Sequence, residues 1–492
     1  MNAYTTIDQR RIQIASETPA LRKSELGQFM TPMSIANFMA SLFSPLDNKA
    51  IRLLDPGSGI GSLAAAFALR AHYEKCKSLE AEIWEIDPNL YTPLMETLME
   101  CQNRFQESSI PFKFFMRAED FVHANPDKTI THAILNPPYR KISSNSEHRK
   151  ALRQAGIETT NLYSAFVALA LLNLKDGGEL VAITPRSFCN GPYFKTFRKM
   201  ILDHSAIRRI HIFERRNHAF KGDDVLQENV IFHLTKGAVQ GDVVISSSLD
   251  ATFLGMNIST VPFSRVVMPD DPETIFYLIA QDEDPLVEKG TRFYLRTLDD
   301  LGITVSTGPV VDFRMRNYLK QDIEDGCVPL IYPFHFVDGF ISHLKIESKK
   351  PSGILDNEAT RKWLMPAGDY VVVRRLTSKE EKRRIVPAVF DHTKFHADRV
   401  GFENHLNVFH AKKHGLNLLV AKGLAIYLGS TFVDKWLRRF NGHTQVNAGD
   451  LRAMRYPDLE TLMQWGLEVN DTFPPQEKID ALVEGKFNEQ AG

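Results

Sequence analysis

Residues 51–61 read Ile-Arg-Leu-Leu-Asp-Pro-Gly-Ser-Gly-Ile-Gly, and their pattern indicates how the first half of the chain folds. Its first five residues are rich in leucine and β-branched side chains, which predicts a buried strand. The glycines that follow let the backbone turn tightly and approach a ligand closely. Ser62–His72 is rich in alanine and predicts a helix. A strand, a glycine-rich turn and a helix in this order are typical of an α/β fold with a parallel sheet.

Outward from this stretch, the chain continues to alternate between apolar runs and helical patterns. Further strands are predicted at Ala81–Asp87, Phe112–Arg117, Thr131–Asn136, Glu179–Thr184, Ile207–Glu214 and Glu228–Thr235. Helices are predicted near Met33–Phe43, Tyr91–Phe105 and Tyr163–Leu174. Strands separated by helices predict a doubly wound sheet whose ligand site lies at the carboxyl ends of the strands.

The regular alternation stops near Lys236–Asp242, where we place a domain boundary. The two predicted domains are therefore residues 1–240 and 241–492. The second is rich in proline, aspartate and aromatic residues, which predicts mixed α/β structure with long loops. One clear helix is predicted there, at Gly423–Phe440, and the residues from Phe473 onward are compatible with a terminal helix or a frayed tail.

The composition of the 492-residue chain argues against several classes of protein. Its 59 basic and 60 acidic residues give a net charge of −1, which neither indicates nor forbids a local basic face for nucleic acid. The four cysteines are not spaced like a zinc site, and the isolated His335 and His443 are predicted to be ordinary polar residues, so no metal is expected. The longest apolar run, Ala165–Leu172, is too short to span a membrane, and Met1–Arg11 is polar; we expect a cytoplasmic protein.

Acidic residues follow the first two predicted strands. Asp55 stands in the glycine-rich turn, and Glu85 lies at the end of the next strand, within Trp84–Asp87. A carboxylate at this second position can accept hydrogen bonds from both ribose hydroxyls of a nucleoside. The two features are equally compatible with a nucleoside-containing cofactor and with a turn followed by a helix-capping aspartate.

The most specific motif is Asn136-Pro137-Pro138-Tyr139, which follows the apolar run Thr131–Leu135. With proline at about 5% of residues, this tetrapeptide arises by chance in roughly one in a thousand chains of this size. A proline-rich turn that closes a strand is the simplest structural alternative. The glycine-rich turn and the acidic residues that precede the motif favour a catalytic role instead.

With these motifs the chain resembles the amino-methyltransferases that use S-adenosyl-L-methionine, and among them the gamma group of DNA adenine-N6 methyltransferases from restriction–modification systems. That group also begins with a Gly-x-Phe-x-Thr-Pro segment, which here is Gly27–Pro32. The resemblance covers nearly the whole chain and is most specific over its first 235 residues. It implies a Rossmann-like, doubly wound methyltransferase domain with a mostly parallel seven-stranded sheet and one antiparallel strand, followed by a mixed α/β target-recognition domain.

The resemblance also implies roles for single residues. Phe29 and Thr31 are expected to line the methionine end of the cofactor, and Glu85 to bind its ribose. The other expected cofactor contacts are Asp55, Gly57 and Gly59 in the glycine-rich turn, Ile86 against the adenine, Asp120 as acceptor for the adenine amino group, and the apolar Phe121 and Phe166. Phe194 matches an aromatic residue that packs against an extruded target base.

The tetrapeptide suits methyl transfer to an amine that is a poor nucleophile. The lone pair of the exocyclic adenine amine is delocalised into the ring, and a pocket that accepts both N–H bonds makes the nitrogen more pyramidal. The side-chain oxygen of Asn136 and the carbonyl of Pro137 are expected to be these acceptors, and Tyr139 to stack on the base. Orientation of the reactants then supplies much of the rate. The base must leave the duplex, at a cost of a few kcal/mol.

Two polar stretches of the second half are candidates for contacts with double-stranded DNA. Tyr370–Arg384 is basic, and Arg374 and Arg375 are expected to contact phosphates. In the loop Arg438–Asn447, the predicted base-reading residues are Arg439, Asn441, His443, Gln445 and Asn447. A solvated, salt-paired surface and a polar capped loop are the corresponding structural alternatives.

Other functions are compatible with the same motifs. A methyltransferase that acts on RNA or on a protein glutamine uses the same tetrapeptide, but such enzymes are usually shorter. A fused methyltransferase–endonuclease and a non-catalytic DNA-specificity subunit are further alternatives. We expect neither, because only 26 residues precede Gly27 and because the Asn136–Tyr139 motif is intact. A monomer that acts beside a separate cognate restriction endonuclease is expected.

Overall fold

The computed structural model describes residues 3–19, 22, 27, 29–124, 128–213, 228–269, 271–278, 284–342, 350–377, 381–441 and 444–489. Two compact units divide the chain: one comprises residues 1–270 and 274–281, the other residues 271–273 and 282–492. His443 of the predicted base-reading loop lies outside the described residues, as does position 28 of the Gly27–Pro32 segment. None of the helices in the described part of the chain has the length and apolar character that crossing a membrane requires.

A nine-stranded sheet forms the framework of the first unit. Its strands are β1 (Ala50–Pro56), β2 (Ser78–Trp84), β3 (Phe112–Arg117), β4 (Ile130–Leu135), β5 (Leu174–Pro185), β6 (Ser205–Phe213), β7 (Asn229–Lys236), β8 (Val243–Ser248) and β9 (Asn257–Val261). They lie in the order β3-β2-β1-β4-β5-β7-β6-β8-β9. The first five strands in this order, β3, β2, β1, β4 and β5, are parallel to one another. Strand β7 runs antiparallel to both of its neighbours, β5 and β6. Strands β1–β7 confirm the predicted mostly parallel seven-stranded sheet with one antiparallel strand.

Helices cover both faces of this sheet. They are α1 (Ala3–Glu17), α2 (Met33–Ser41), α3 (Ser62–Tyr73), α4 (Tyr91–Glu107), α5 (Glu147–Gln154), α6 (Leu162–Asn173), α7 (Lys195–His204) and α8 (Phe263–Val266). Ala133 and Leu135 of β4 join the apolar cluster that contains α6, whereas Ile134 joins the cluster that contains α2, α3 and α4. Successive side chains of a strand point to opposite faces, so the two clusters lie on opposite sides of the sheet. The fold is therefore doubly wound, as predicted.

The first unit extends beyond the boundary predicted at Lys236–Asp242. Strand β8 pairs in parallel with β6, and β9 pairs with β8, so both belong to the same sheet. The serines Ser246–Ser248 of β8 are at most 1% exposed. Two of them, Ser246 and Ser248, lie 3.0 and 3.1 Å from the ring nitrogens of the buried His211 of β6. The predicted boundary between domains 1–240 and 241–492 is therefore wrong, and the first unit continues to about residue 281. Ser246–Ser248 have the polar character of a linker but belong to a buried strand of the sheet.

The second unit contains two smaller sheets. Its strands are β10 (Thr304–Thr307), β11 (Leu319–Lys320), β12 (Cys327–Ile331), β13 (Phe336–Val337), β14 (Phe340–Ile341), β15 (Gly353–Leu355), β16 (Leu364–Pro366), β17 (Tyr370–Arg374), β18 (Pro387–Phe390), β19 (Arg399–Phe402) and β20 (Leu406–His410). One sheet has the order β10-β20-β17-β18-β14-β13, and the other the order β11-β15-β12-β19-β16. Together with six helices in the described part of this unit, they form the mixed α/β structure that was predicted.

The helices of the second unit are α9 (Pro285–Phe293), α10 (Leu418–Leu428), α11 (Thr431–Arg438), α12 (Ala448–Arg452), α13 (Leu459–Gly466) and α14 (Gln476–Glu489). The single helix predicted at Gly423–Phe440 is two helices, because Ser430 caps α11 by accepting from the Val433 N–H. Gly423 of α10 and Gly466 of α13 each face the backbone of the other helix, where a Cβ atom would collide with a carbonyl. Helix α14 confirms the terminal helix rather than the frayed tail.

Candidate active site

The glycine-rich turn after β1 is held against the end of β2. Gly57 and Ser58 donate their backbone N–H groups to the Trp84 carbonyl at 2.8 and 3.0 Å. Gly57 and Gly59 have φ angles of +75° and +59°, in the left-handed region that favours glycine. A Cβ atom at Gly59 would meet no atom within 4 Å, so this part of the turn faces open space. The turn therefore presents backbone to a cleft, as expected of a ligand-binding loop.

Two buried carboxylates lie beside this turn. Glu85 accepts the backbone N–H groups of Gly59 at 2.7 Å and of Asp87 at 2.8 Å. Oδ2 of Asp55 accepts from the Ala64 N–H at 3.1 Å, whereas its Oδ1 has no hydrogen-bond partner among the described residues. Burial disfavours the charged forms and raises the pKa of Asp55 to about 8 and that of Glu85 to about 7. Both groups therefore titrate near neutral pH.

The Asn136 side chain is held at both ends. Its Nδ2 donates to the Phe29 carbonyl at 2.8 Å and to the Thr31 hydroxyl at 3.0 Å. Its Oδ1 accepts from the Tyr139 hydroxyl at 3.0 Å. Burial raises the pKa of Tyr139 far above its usual value, so this hydroxyl keeps its proton and acts as a donor. One lone pair of Oδ1 is left for a further donor.

Gly27 brings the Gly27–Pro32 segment into contact with the tetrapeptide. Its carbonyl accepts from the Tyr139 backbone N–H at 3.1 Å. Gly27 has a φ of +64°, and a Cβ atom there would lie 3.0 Å from the Tyr139 nitrogen. Only glycine combines this backbone conformation with so close an approach. The sequence predicted both segments but not the hydrogen bonds that join them.

Aromatic rings continue from the tetrapeptide toward the loop after β5. The ring of Tyr139 lies 5.4 Å from Phe29 and 6.2 Å from Tyr163, measured between centroids. Tyr163 in turn stacks on Phe194 at 5.3 Å. Phe194, predicted to pack against a target base, therefore lies one ring away from Tyr139. Tyr163 links the two and was not predicted, although it stands three residues before the predicted Phe166.

The cleft is completed by a polar pair and an aromatic group that follow β3. Asp120 accepts from the Val122 N–H at 2.9 Å, and its other oxygen lies 2.8 Å from Nε2 of His148. Phe121 packs 5.3 Å from both Trp84 and Phe166. His148 was not predicted, because it lies on the polar helix α5, 28 residues after its partner, and no motif marks it.

One set of donors in this region could also coordinate a metal. Asp120, His123 and His148 place a carboxylate oxygen and two imidazole nitrogens within 4.8 Å of one another. Two imidazoles and a carboxylate suit a divalent transition metal. The direct Asp120–His148 hydrogen bond already satisfies two of the three groups, and the absence of a metal stays a prediction.

One cleft of about 1070 Å³, open to solvent, is lined by most of the predicted catalytic and cofactor-binding residues. The predicted residues that line it are Phe29, Thr31, Gly57, Gly59, Glu85, Ile86, Asp120, Phe121, Asn136, Pro138 and Phe166. Ile86 is 51% exposed and lines the cleft with an apolar side chain. Asp55, Pro137 and Tyr139 are not among the lining residues, and the first two of these are buried. The cleft lies at the carboxyl ends of β1, β2 and β4, as predicted for this fold.

Comparison with known proteins identifies the family. Residues 5–220 match the family described as Eco57I restriction-modification methylase. The chain is 47% identical to Type II methyltransferase M.BsuBI of Bacillus subtilis, with 97% of each chain covered. The chain belongs to the Type II methyltransferases.

A second relative agrees with this assignment, and one solved structure has a similar fold. The chain is 42% identical to Type II methyltransferase M.PstI of Providencia stuartii, across 97% of this chain and 96% of the other. Among solved structures, the DrdV–DNA complex has a similar fold, with a TM-score of 0.51. The alignment covers 92% of this chain and 58% of the DrdV chain, and the two sequences are 14% identical. The predicted resemblance to restriction–modification methyltransferases is confirmed.

In this Type II methyltransferase, two predicted DNA-contacting residues of the second unit have structural roles instead. Asn441 is 1% exposed; its Nδ2 donates to Asp450 at 2.7 Å and its Oδ1 accepts from the buried Arg384 at 3.1 Å. Asn447 is also buried and is the N-cap residue of α12. The prediction that these two asparagines read bases is wrong for this conformation, because their side chains are enclosed within the unit.

Four other predicted DNA-contacting residues, Arg374, Arg375, Arg439 and Gln445, are partly exposed. Arg374 lies 3.8 Å from Glu381, at the distant end of the range for an ion pair. Arg375 donates to the Asn404 carbonyl and, at 3.4 Å, to the Gln445 side chain. Arg439 donates to the Asp284 carbonyl at 3.3 Å. Arg374, Arg375, Arg439 and Gln445 therefore stay candidates for contact with DNA.

Proposed function

We propose that this Type II methyltransferase transfers a methyl group from S-adenosyl-L-methionine to N6 of an adenine in a specific sequence of duplex DNA. The observation that carries the proposal is the Asn136 side chain, whose orientation is fixed by Phe29 and Thr31 and whose oxygen keeps a free lone pair. Such a group suits an exocyclic amine, which offers N–H donors and needs help to expose its lone pair. The neutral amide also tolerates the positive charge that develops on the nitrogen.

The cleft has features that fit the cofactor. Asp55 has a buried oxygen without a partner among the described residues, Gly59 faces open space, and Ile86 presents an exposed apolar surface. Glu85 lines the cleft at the end of β2, and its carboxylate is proposed to accept the ribose hydroxyls. When bound, S-adenosyl-L-methionine supplies a methyl group that its sulfonium makes electrophilic.

The residues of the tetrapeptide hold the target amine for this transfer. Oδ1 of Asn136 accepts one amine N–H, and the Pro137 carbonyl is expected to accept the other. Tyr139 supplies a ring face for the base, while its protonated hydroxyl keeps Oδ1 in place. An amine that has gained a methyl group is positively charged and acidic, and it can release its proton to the solvent in the open cleft, so no general base with a shifted pKa is needed. Orientation of the two reactants, together with the fixed dipoles of the Asn136 amide and the Pro137 carbonyl, is expected to account for much of the rate enhancement.

The second unit is proposed to recognise the DNA sequence. Arg374, Arg375, Arg439 and Gln445 are its candidate contacts, and flipping of the adenine brings the base to the cleft. The full-length similarity to two Type II methyltransferases favours DNA over RNA or protein as substrate. We expect the chain to act as a monomer in the cytoplasm, beside a separate restriction endonuclease for the same site.

The proposal is tested by supplying the purified chain with duplex DNA of mixed sequence and S-adenosyl-L-methionine labelled in the methyl group. Digestion to nucleosides is expected to release the label as N6-methyladenine. Single-molecule sequencing of the same DNA then gives the sequence context and the strand. Label on a cytosine, on RNA or on protein, or no transfer at all, would overturn the proposal.

Cofactor affinity is expected to rise with pH. Glu85 and Asp55, whose pKa values are raised to about 7 and about 8, lose their protons as the pH passes through neutrality and then attract the cationic cofactor. We expect the dissociation constant measured by calorimetry to fall about tenfold between pH 6 and 7.5. Glu85→Gln should flatten this dependence. Affinity independent of pH in the native chain would contradict the proposed contacts.

Deprotonation of Glu85 and Asp55, which is expected to favour cofactor binding, is expected to destabilise the ligand-free chain. Their folded pKa values lie above the ordinary values of 4.5 and 3.8, so the unfolded state releases these protons first as the pH rises. Their contribution to the free energy of unfolding is therefore lost between about pH 4 and pH 8. Bound cofactor is expected to offset this loss.

Neutralising Arg374 is expected to weaken DNA binding and to lower its dependence on salt. If the guanidinium contacts a phosphate, Arg374→Gln should reduce the slope of log affinity against log salt by about one. Arg361→Gln is the matched control, since Arg361 also lies 3.8 Å from an acidic partner in this unit. Equal slopes for the native chain and Arg374→Gln, measured by fluorescence anisotropy, would remove Arg374 from the interface.

A further inference from the structure

The Thr31 hydroxyl contacts the catalytic amide directly. Thr31 is 5% exposed, and its Oγ1 accepts from Nδ2 of Asn136 at 3.0 Å. The segment that carries Thr31 is anchored on its far side, where the backbone N–H of Met33 donates to the Asp8 carboxylate at 3.2 Å. A fixed hydroxyl therefore faces the amide end that does not meet the substrate.

This contact helps to decide which end of the amide faces outward. A side-chain amide can turn by 180° and exchange its oxygen and nitrogen with little change of shape. In the turned form, the Asn136 oxygen would oppose the Phe29 carbonyl, and Nδ2 would present donors to an amine that itself donates. The Phe29 carbonyl can only accept, which suits an amide nitrogen and not a carboxylate oxygen. The Thr31 hydroxyl adds a second bond that holds Nδ2 beside that carbonyl.

We propose that Thr31 is a positioning residue that acts through Asn136 by holding the amide with its oxygen toward the target amine. The inference rests on the proposed function and differs from the cofactor-lining role that the family resemblance implies for Thr31. It also accounts for asparagine rather than aspartate at position 136. An aspartate would place an oxygen 2.8 Å from the Phe29 carbonyl, in the position of Nδ2.

The test separates kcat from the KM for S-adenosyl-L-methionine in the full chain. Thr31→Val keeps the shape of the side chain and removes the acceptor, and we expect kcat to fall about tenfold, the usual worth of one hydrogen bond. The KM for the cofactor should stay within about twofold. Thr31→Ser should restore kcat. The matched control is Thr97→Val, another buried threonine with a bonded hydroxyl, on helix α4 and outside the cleft.

Three results would overturn the proposal. A raised KM with unchanged kcat would make Thr31 a cofactor contact, and unchanged values of both would give its hydroxyl no role. A Thr31→Ser variant as slow as Thr31→Val would assign the effect to packing of the methyl group.

A second measurement does not require catalysis. The side-chain ¹⁵N resonance of Asn136, identified by its loss in Asn136→Ala, is expected to exchange its protons faster in Thr31→Val than in the native chain. Unchanged exchange would refute the positioning role even if the native chain methylated another substrate. Failure of the native chain to methylate adenine would instead refute only the proposed function.

Discussion

Replacing Asn136 by alanine is expected to lower kcat by about 10²- to 10³-fold, the usual effect of removing one preorganised polar group from a transition state. The amide oxygen is proposed to accept an amine N–H, and the truncated side chain leaves that N–H without a partner. The cofactor should still bind, because the contacts expected from Glu85 and Asp55 do not involve the amide. Single-turnover rates with labelled cofactor, together with calorimetry, give both quantities.

A matched control separates this effect from loss of folding. Asn173 is also a buried asparagine of the first unit, and its Nδ2 donates to the Leu169 carbonyl within α6. Asn173→Ala should therefore retain its rate. If Asn136→Ala transferred methyl groups at close to the native rate, the pocket around Asn136 would not be the catalytic one.

Replacing Glu85 by alanine is expected to raise the dissociation constant of S-adenosyl-L-methionine by about 10²-fold. Hydrogen bonds to a charged group are worth roughly 1.5–3 kcal/mol each, and the change removes those proposed for the ribose hydroxyls. It also leaves the backbone N–H groups of Gly59 and Asp87 without their acceptor, so the glycine-rich turn is held less firmly.

The control for this variant lies on β2, the strand that ends immediately before Glu85. Glu80 of β2 is 42% exposed and pairs with Arg52 at 3.2 Å, so Glu80→Ala should leave cofactor affinity unchanged. The melting temperature of each variant shows whether the fold is retained. A Glu85→Ala chain that binds the cofactor as tightly as the native chain would exclude the ribose contact.

The sheet of the first unit could be predicted because its signals are local. A buried strand, a turn that needs glycine and an alanine-rich helix each leave a pattern within about ten residues of sequence. Strand β8 has no such pattern, since its serines are polar. Their burial depends on His211, which lies 35 residues before Ser246, and no local pattern reveals that contact.

The same limit applies to the site. Phe29, Thr31 and Asn136 were predicted individually, but the hydrogen bonds that join them span more than 100 residues. His148 was missed for the same reason. In the second unit, polar composition predicted contact with DNA for Asn441, although the buried Arg384 and Asp450 enclose that side chain. Residue type alone does not distinguish a polar group that faces solvent from one that holds a loop together.

The contact between Gly27 and Tyr139 bears on how chimeras of related enzymes should be built. The tetrapeptide cannot be transferred alone, because hydrogen bonds to a segment far earlier in the chain fix its geometry. A chimera that takes residues 136–139 from one parent and residues 27–31 from another combines two segments that did not evolve to form hydrogen bonds with each other in one pocket. Crossover points should therefore keep both segments together, however distant they are in the gene.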